Sequence, residues 1–111
     1  MAAIFELYRD HAGDFRFHLQ SEKGEVILAS SAYKQKSSAE NGIASVRSHA
    51  TDHQRYDREA GVMGKSMFHL RSDDGQVLGS SQSYHSASGR DHGIAAVIQH
   101  APDAEVYDRT A

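Results

Sequence analysis

The chain has 111 residues, of which 39% are hydrophobic and 24% charged, the proportions of a soluble globular protein. At this length one domain buries roughly two-thirds of its unfolded surface, whereas a piece of half the size is marginal by itself. The net charge of −3 gives no electrostatic reason for affinity to nucleic acid or anionic membranes, and with no cysteine there are neither disulfides nor thiolate metal sites.

The opening MAAIFELYRD carries acids where a targeting segment would carry a basic stretch and then an apolar run. No apolar stretch in the chain is long enough to span a membrane, so the expected location is the cytoplasm. Phe5-Glu6 opens a first strand. In FRFHLQS, Phe15, Phe17 and Leu19 alternate with Arg16, His18 and Gln20, the period of a half-buried strand. EVILASS follows as a second apolar strand, and Lys23-Gly24 between them suits a two-residue type I′ hairpin, with Leu19 facing Leu28, Phe17 facing Ser30 and Gln20 facing Ile27.

After Tyr33 the period changes. Ala39, Ile43, Val46 and Ala50 form one stripe of an amphipathic helix, and Ser37-Ser38-Ala39-Glu40 reads as its capping box. Gly42 lies beside Ile43 on this stripe, where a glycine costs on the order of 1 kcal/mol relative to alanine; its missing side chain lets the helix come close to the sheet or to another helix, or it is simply a tolerated glycine. Tyr56-Asp57 then begins the plan again.

From that point the chain repeats itself at a constant offset of 51. Phe17-His18-Leu19 returns as Phe68-His69-Leu70, SEKGEVILAS as SDDGQVLGSS, Tyr33 as Tyr84, and Gly42-Ile43-Ala44 as Gly93-Ile94-Ala95. Ser88-Gly89-Arg90-Asp91 repeats the cap, and Pro102 stops the second helix. Tyr107-Asp108 closes the chain with a third copy of the aromatic strand. A constant offset means that no insertion separates the copies, so the repeat is a structural unit. We expect one domain over 1–111, built of repeat 1 (1–53) and repeat 2 (54–111), with the order β-ββα-β-ββα-β. The plan closes a pseudo-twofold only if the last strand pairs with the first half.

These motifs, FELYRD, the aromatic strand, the GEVI and GQVL hairpins, the Ser/Tyr loop and the NGI and HGI helices with APDA after the second, resemble the YegP-like family of small bacterial proteins, a domain of unknown function, in its tandem two-repeat form. The resemblance covers nearly the whole chain. It implies an α+β fold in which two tandem β-β-β-α repeats share a single antiparallel sheet, with two helices on one face and the C-terminal strand exchanged between repeats. It implies no activity, substrate or catalytic residue. The second copy departs from the first at Gly79, where Leu28 stands, and at Arg90, where Ala39 stands, and this suggests a looser core or a different helix packing in that half.

Chemistry would have to come from the eight histidines, His11, His18, His49, His53, His69, His85, His92 and His100. His49 and His53 flank Asp52 as paired ligands would, but the helix should end near Ala50, and Ala104 takes the place of His53 in the second copy. His49 and His100 read better as groups at helix C-termini, where they interact with the helix dipole. Ser30-Ser31, Ser80-Ser81 and Ser86 lie in strand ends or loops with no recognisable elbow or partnered base, Asp73-Asp74 belongs to a turn, and GVMGK is no phosphate loop. No catalytic set, metal site or cofactor is expected.

If Phe17, Leu19 and their counterparts point to the helices, the other face of the sheet carries Arg16, His18, Gln20 and Ile27 in one half and Met67, His69, Arg71 and Leu78 in the other. Such a face reads as a surface for self-association or a protein partner, and the protein as a non-enzymatic interaction or structural module. A second reading is a ligand or single-stranded nucleic-acid binder with Arg16, Arg71, Tyr33 and Tyr84 as basic and stacking groups, against which the net charge weighs. A weaker third is a metal-dependent hydrolase at the seam between the halves. Because the duplication supplies an internal twofold, a monomer is expected.

Overall fold

The computed structural model describes residues 3–60 and 62–110; Met1, Ala2, Gly61 of the GVMGK stretch and Ala111 lie outside the described residues. The strands are β1 (Ile4–Arg9), β2 (Phe15–Gln20), β3 (Val26–Ala29), β4 (Tyr56–Ala60), β5 (Ser66–Arg71), β6 (Val77–Ser80) and β7 (Glu105–Asp108), and the helices are α1 (Lys36–His49) and α2 (Ala87–His100). All seven strands form one sheet in the order β4-β5-β6-β3-β2-β1-β7. Both helices lie on one face of it.

The sheet is mixed, not wholly antiparallel as expected. Every neighbouring pair is antiparallel except β1 and β7, which run parallel from Ile4↔Glu105 to Leu7↔Asp108. The inner side of β1 is taken by β2, so the chain leaving α2 crosses over the sheet to its far edge, and a crossover connection permits parallel pairing where a tight turn does not. The last strand is thereby exchanged into the first half.

The two halves reproduce each other's bonds. Phe17 N–H donates to Ser30 Oγ at 2.9 Å, and Phe68 N–H to Ser81 Oγ at 2.9 Å. Phe15 bridges Tyr33 as Ser66 bridges Tyr84. The hairpin loops differ from the expected two-residue type. Gly24 N–H bonds Ser21 C=O at 2.9 Å, Gly24 has φ 86°, and Lys23 keeps a negative φ, which describes a three-residue loop closed by a left-handed glycine. Gly75 closes the second loop in the same way, at φ 85°.

That longer loop shifts the register. Leu19 faces Leu28 as expected, but Gln20 faces Val26 and not Ile27, so Ile27 is an extra residue in a β-bulge; Leu78 is its counterpart between Leu70↔Gly79 and Arg71↔Val77. A bulge breaks the alternation of faces. Ile27 and Leu78, expected on the outer face, are 6% and 5% exposed and belong to the core with Leu28 and Leu70.

Phe5, Phe17, Leu19, Phe68 and Leu70 on the strands meet Ile43, Val46, Ile94 and Val97 on the helices in one cluster drawn from both halves. The α1 stripe Ala39, Ile43, Val46 and Ala50 is buried along its whole length. Gly42 explains itself here, because a β-carbon at that position would stand 2.8 Å from Tyr33 Oη and 2.9 Å from Phe17 Cε2. Gly93 is pressed against Tyr84 and Phe68 in the same manner.

The caps depart from expectation. The N-cap of α1 is Gln35, without a side-chain bond, and that of α2 is Ser86, whose Oγ accepts from Gly89 N–H at 3.0 Å; Ser37 and Ser88 lie inside the helices. Arg90, half-buried where Ala39 is fully buried, does not hang free: its Nε lies 3.2 Å from the carboxylate of its neighbour Asp91. Nor is Gly79 a void. Leu28 from the first half fills the space beside it, with its Cγ 2.7 Å from where a Gly79 β-carbon would be.

Candidate interaction face

The side of the sheet away from the helices follows from the pairings. Residues opposite one another on neighbouring strands point to the same face. One row, Tyr107-Glu6-His18-Ala29-Ser80-His69-Asp57, therefore crosses all seven strands on the uncovered face. Arg16, Met67 and Arg71 flank it by the same alternation, so five of the seven expected face residues are brought together there.

Their chemistry is mostly satisfied within the chain. Arg16 Nε lies 2.6 Å from Asp10 Oδ2, and this guanidinium bond holds the Asp10 carboxyl below the usual range. His18 Nε2 lies 3.0 Å from Glu6 Oε1, out of hydrogen-bond alignment, while its ring packs 5.1 Å from that of Tyr8. Arg109 Nε reaches the same Glu6 at 3.3 Å and covers the Tyr107 ring. Arg71 pairs with Asp57 and also donates to Gly75 C=O at 2.7 Å.

His69 has two partners. Its Nδ1 is 2.6 Å from Ser80 Oγ and its Nε2 is 2.9 Å from Glu59 Oε2. Ser80 thus does have a partnered base, contrary to the sequence reading, because β5 and β6 place His69 and Ser80 directly opposite each other. The pairing of strands, which residue spacing alone does not reveal, is the signal that would have found it.

Among these paired charges stand a few small apolar side chains. Val26 and Val77 are exposed at 37% and 36%, Ala29 is exposed at the middle of the sheet, and Met67 is half-buried. Tyr33 and Tyr84 are not on this face. Each stacks on the helix side, 6.3 Å from Phe17 and 6.5 Å from Phe68, where the glycines of the helices make room for them.

The seam between the halves holds two clefts related by the 51-residue offset. One, of about 360 Å³, is lined by Ser45, His49, Ser72, Asp73, Asp74 and Leu78; the other, of about 210 Å³, by Ser21, Glu22, Lys23, Glu25 and His100. His49 ends α1 as expected and is tied down on both sides, its Nδ1 donating to Ser45 C=O at 2.8 Å and its Nε2 to Asp73 across the seam. These acceptors push the imidazole above its ordinary pKa, the carbonyl first and then Asp73, and the His49 bond holds Asp73 below its own. Both ring nitrogens are occupied, and His53 stands apart and exposed in the 3-10 turn of residues 53–55. Among the described residues no three His, Asp or Glu side chains converge as metal ligands would, and no helix is long and apolar enough to cross a membrane.

The fold and its two-repeat chain define a family. The model of the domain of unknown function DUF1508 matches residues 10–57 and again 63–108, and the chain belongs to that family. It is 49% identical over 108 residues to the UPF0339 protein in the ptx operon 5′ region of Stutzerimonas stutzeri, covering 97% of each chain. It is 43% identical over 110 residues to the UPF0339 protein YegP of Escherichia coli K12, covering 99% of this chain and all of that one. The solution structure of the E. coli protein, described as of unknown function, superimposes with a TM-score of 0.94 at 42% identity over 100% of this chain and 96% of that one. A UPF0339 protein of Shewanella oneidensis gives 0.93 at 36% identity, over 99% and 93%.

Proposed function

We propose that the chain is a binding module that receives a protein partner on the uncovered face of its sheet and does not turn over a substrate. One observation carries this reading: the face is a continuous row across seven strands whose basic groups are each already answered by a carboxylate. Phosphate recognition needs cations that are free to replace counterions, and Arg16 and Arg71 are held by Asp10 and Asp57. A protein surface rich in small apolar groups matches Val26, Ala29, Val77 and Met67 without breaking those pairs. With β7 occupying the outer edge of β1 within the same chain, the module acts as a monomer until it meets that partner.

The test is an exposed substitution at the centre of the row. Ala29→Arg leaves the melting temperature unchanged and removes, from pull-downs in the host lysate, a protein that wild type retains and that binds wild type again once purified. Identical retention by both forms overturns the face as the binding surface. Salt-dependent binding of single-stranded oligonucleotides that is lost in Arg16→Ala would replace this reading with nucleic-acid binding.

A further inference from the structure

The serine, histidine and glutamate on the uncovered face form an ordered relay. Ser80 Oγ is 2.6 Å from His69 Nδ1, and His69 Nε2 is 2.9 Å from Glu59 Oε2. Nucleophilic hydroxyls are activated by this order of groups: a base within hydrogen-bond reach and an acceptor that orients the base. A carboxylate is acceptor-only, so Glu59 draws the imidazole proton to Nε2 and leaves Nδ1 with the lone pair that faces the serine. The ring is used the other way round from the familiar triad, with the same division of roles.

The relay belongs to one half alone. At the 51-residue offset His69 corresponds to His18, but Ser80 corresponds to Ala29 and Glu59 to Tyr8, so the first half keeps the base without the nucleophile, and its nearest acid, Glu6, stands 3.0 Å from His18 Nε2 but out of hydrogen-bond alignment. There the histidine ring packs on Tyr8 instead. Ser30 and Ser81, which stand one residue further along, are spent on the sheet. Each accepts a backbone N–H and donates to the next carbonyl at 2.8 and 2.7 Å, whereas Ser80 lies half-exposed on the uncovered face.

The geometry points to Ser80 as a nucleophile that accepts a single acyl or phosphonyl group from an activated donor. His69 Nδ1 takes the Ser80 proton as Oγ bonds to the electrophilic carbon or phosphorus, and the bond to the leaving group breaks with its electron pair. The imidazolium that results is held against Glu59. Ser80 sits in a central strand paired on both sides, to His69 and to Ala29, and not on a sharp turn that aims free amides at an oxyanion. The donor must therefore bring a good leaving group, such as a thioester, aryl ester or fluorophosphonate, and the reaction stops at the Ser80 adduct.

A fluorophosphonate probe on the purified chain, followed by peptide mass spectrometry, tests this. One adduct is expected, on Ser80, lost in Ser80→Ala and slowed about tenfold or more in His69→Ala, as general-base assistance commonly contributes 10²-fold or more. Glu59 is a positioning residue. Glu59→Gln is expected to slow labelling and change the His69 tautomer read from ring ¹⁵N shifts, and Glu59→Asp to restore both in part. Absence of an adduct, equal rates over several serines, or an unchanged rate in a folded His69→Ala chain overturns the assignment. With p-nitrophenyl acetate, release beyond one equivalent per chain overturns the single transfer.

Discussion

At Gly42, propensity and packing oppose each other, and packing decides. An exposed helical glycine replaced by alanine gains about 1 kcal/mol, but here the new methyl would stand 2.9 Å from a ring carbon of Phe17, which has no exposed surface and nowhere to move. Gly42→Ala is therefore expected to lower stability by about 1–3 kcal/mol in urea unfolding, as overpacked cores do. The sequence showed that the residue was unusual but not which aromatic ring it serves, because Tyr33 reaches it only through the bridge to Phe15. His49 gives a prediction of opposite character. Its raised pKa means that the tie stabilises the fold fully below the ordinary value of 6.5 and fades as pH rises through the folded value; Arg55 opposes the protonated form and Asp73 favours it. The depressed Asp73 contributes above its ordinary 3.8 and loses this as pH falls through its lower folded value. Chemical denaturation from pH 6 to 9 should show this decline in wild type and a flatter profile in Asp73→Asn.

Among the elements, the helical stripes were readable residue by residue, since Ala39, Ile43, Val46 and Ala50 depend only on a period, and a period is a local property. Helix starts and strand faces were not. A start depends on where the preceding chain stops being extended, and the bridges at Tyr33 and Tyr84 let α1 and α2 begin one or two residues before the serines that look like caps. Ser86→Ala is expected to cost about 1 kcal/mol, and Ser37→Ala to cost much less, in the same unfolding assay. The misplaced faces of Ile27 and Leu78 have a similar origin. A loop of three residues in place of two adds a bulge, and one added residue returns a strand's side chains to the opposite side. The Ser80 relay was hidden for the same reason, being a product of cross-strand register.

For the molecule as a whole, the exchange of the last strand was legible because the aromatic strand occurs three times in a chain with two hairpins; its parallel direction was not, since spacing carries no information about orientation. β7 is bound by Lys36 to Asp108 at 2.5 Å, by Arg109 to Glu6, and by Arg47 to Ala104 C=O. A chain ending at Ala104 would bare the edge of β1, and analytical ultracentrifugation should find it self-associating where the full chain does not. At the opposite end of the sheet, β4 is guarded by Asp57, Arg58 and Glu59. In the middle, Leu28 and Gly79 are the same position in the two repeats and they touch each other. A residue that meets its own copy lies on the axis of the duplication, where there is room for one leucine and not for two. No perfectly symmetric version of this chain can keep leucine at that point. Gly79→Leu should force the halves apart, while adding Leu28→Gly to it should restore the fold with the large side chain supplied from the other side; once the repeats were joined in one chain, each was free to solve half of a problem that identical subunits would have to solve twice.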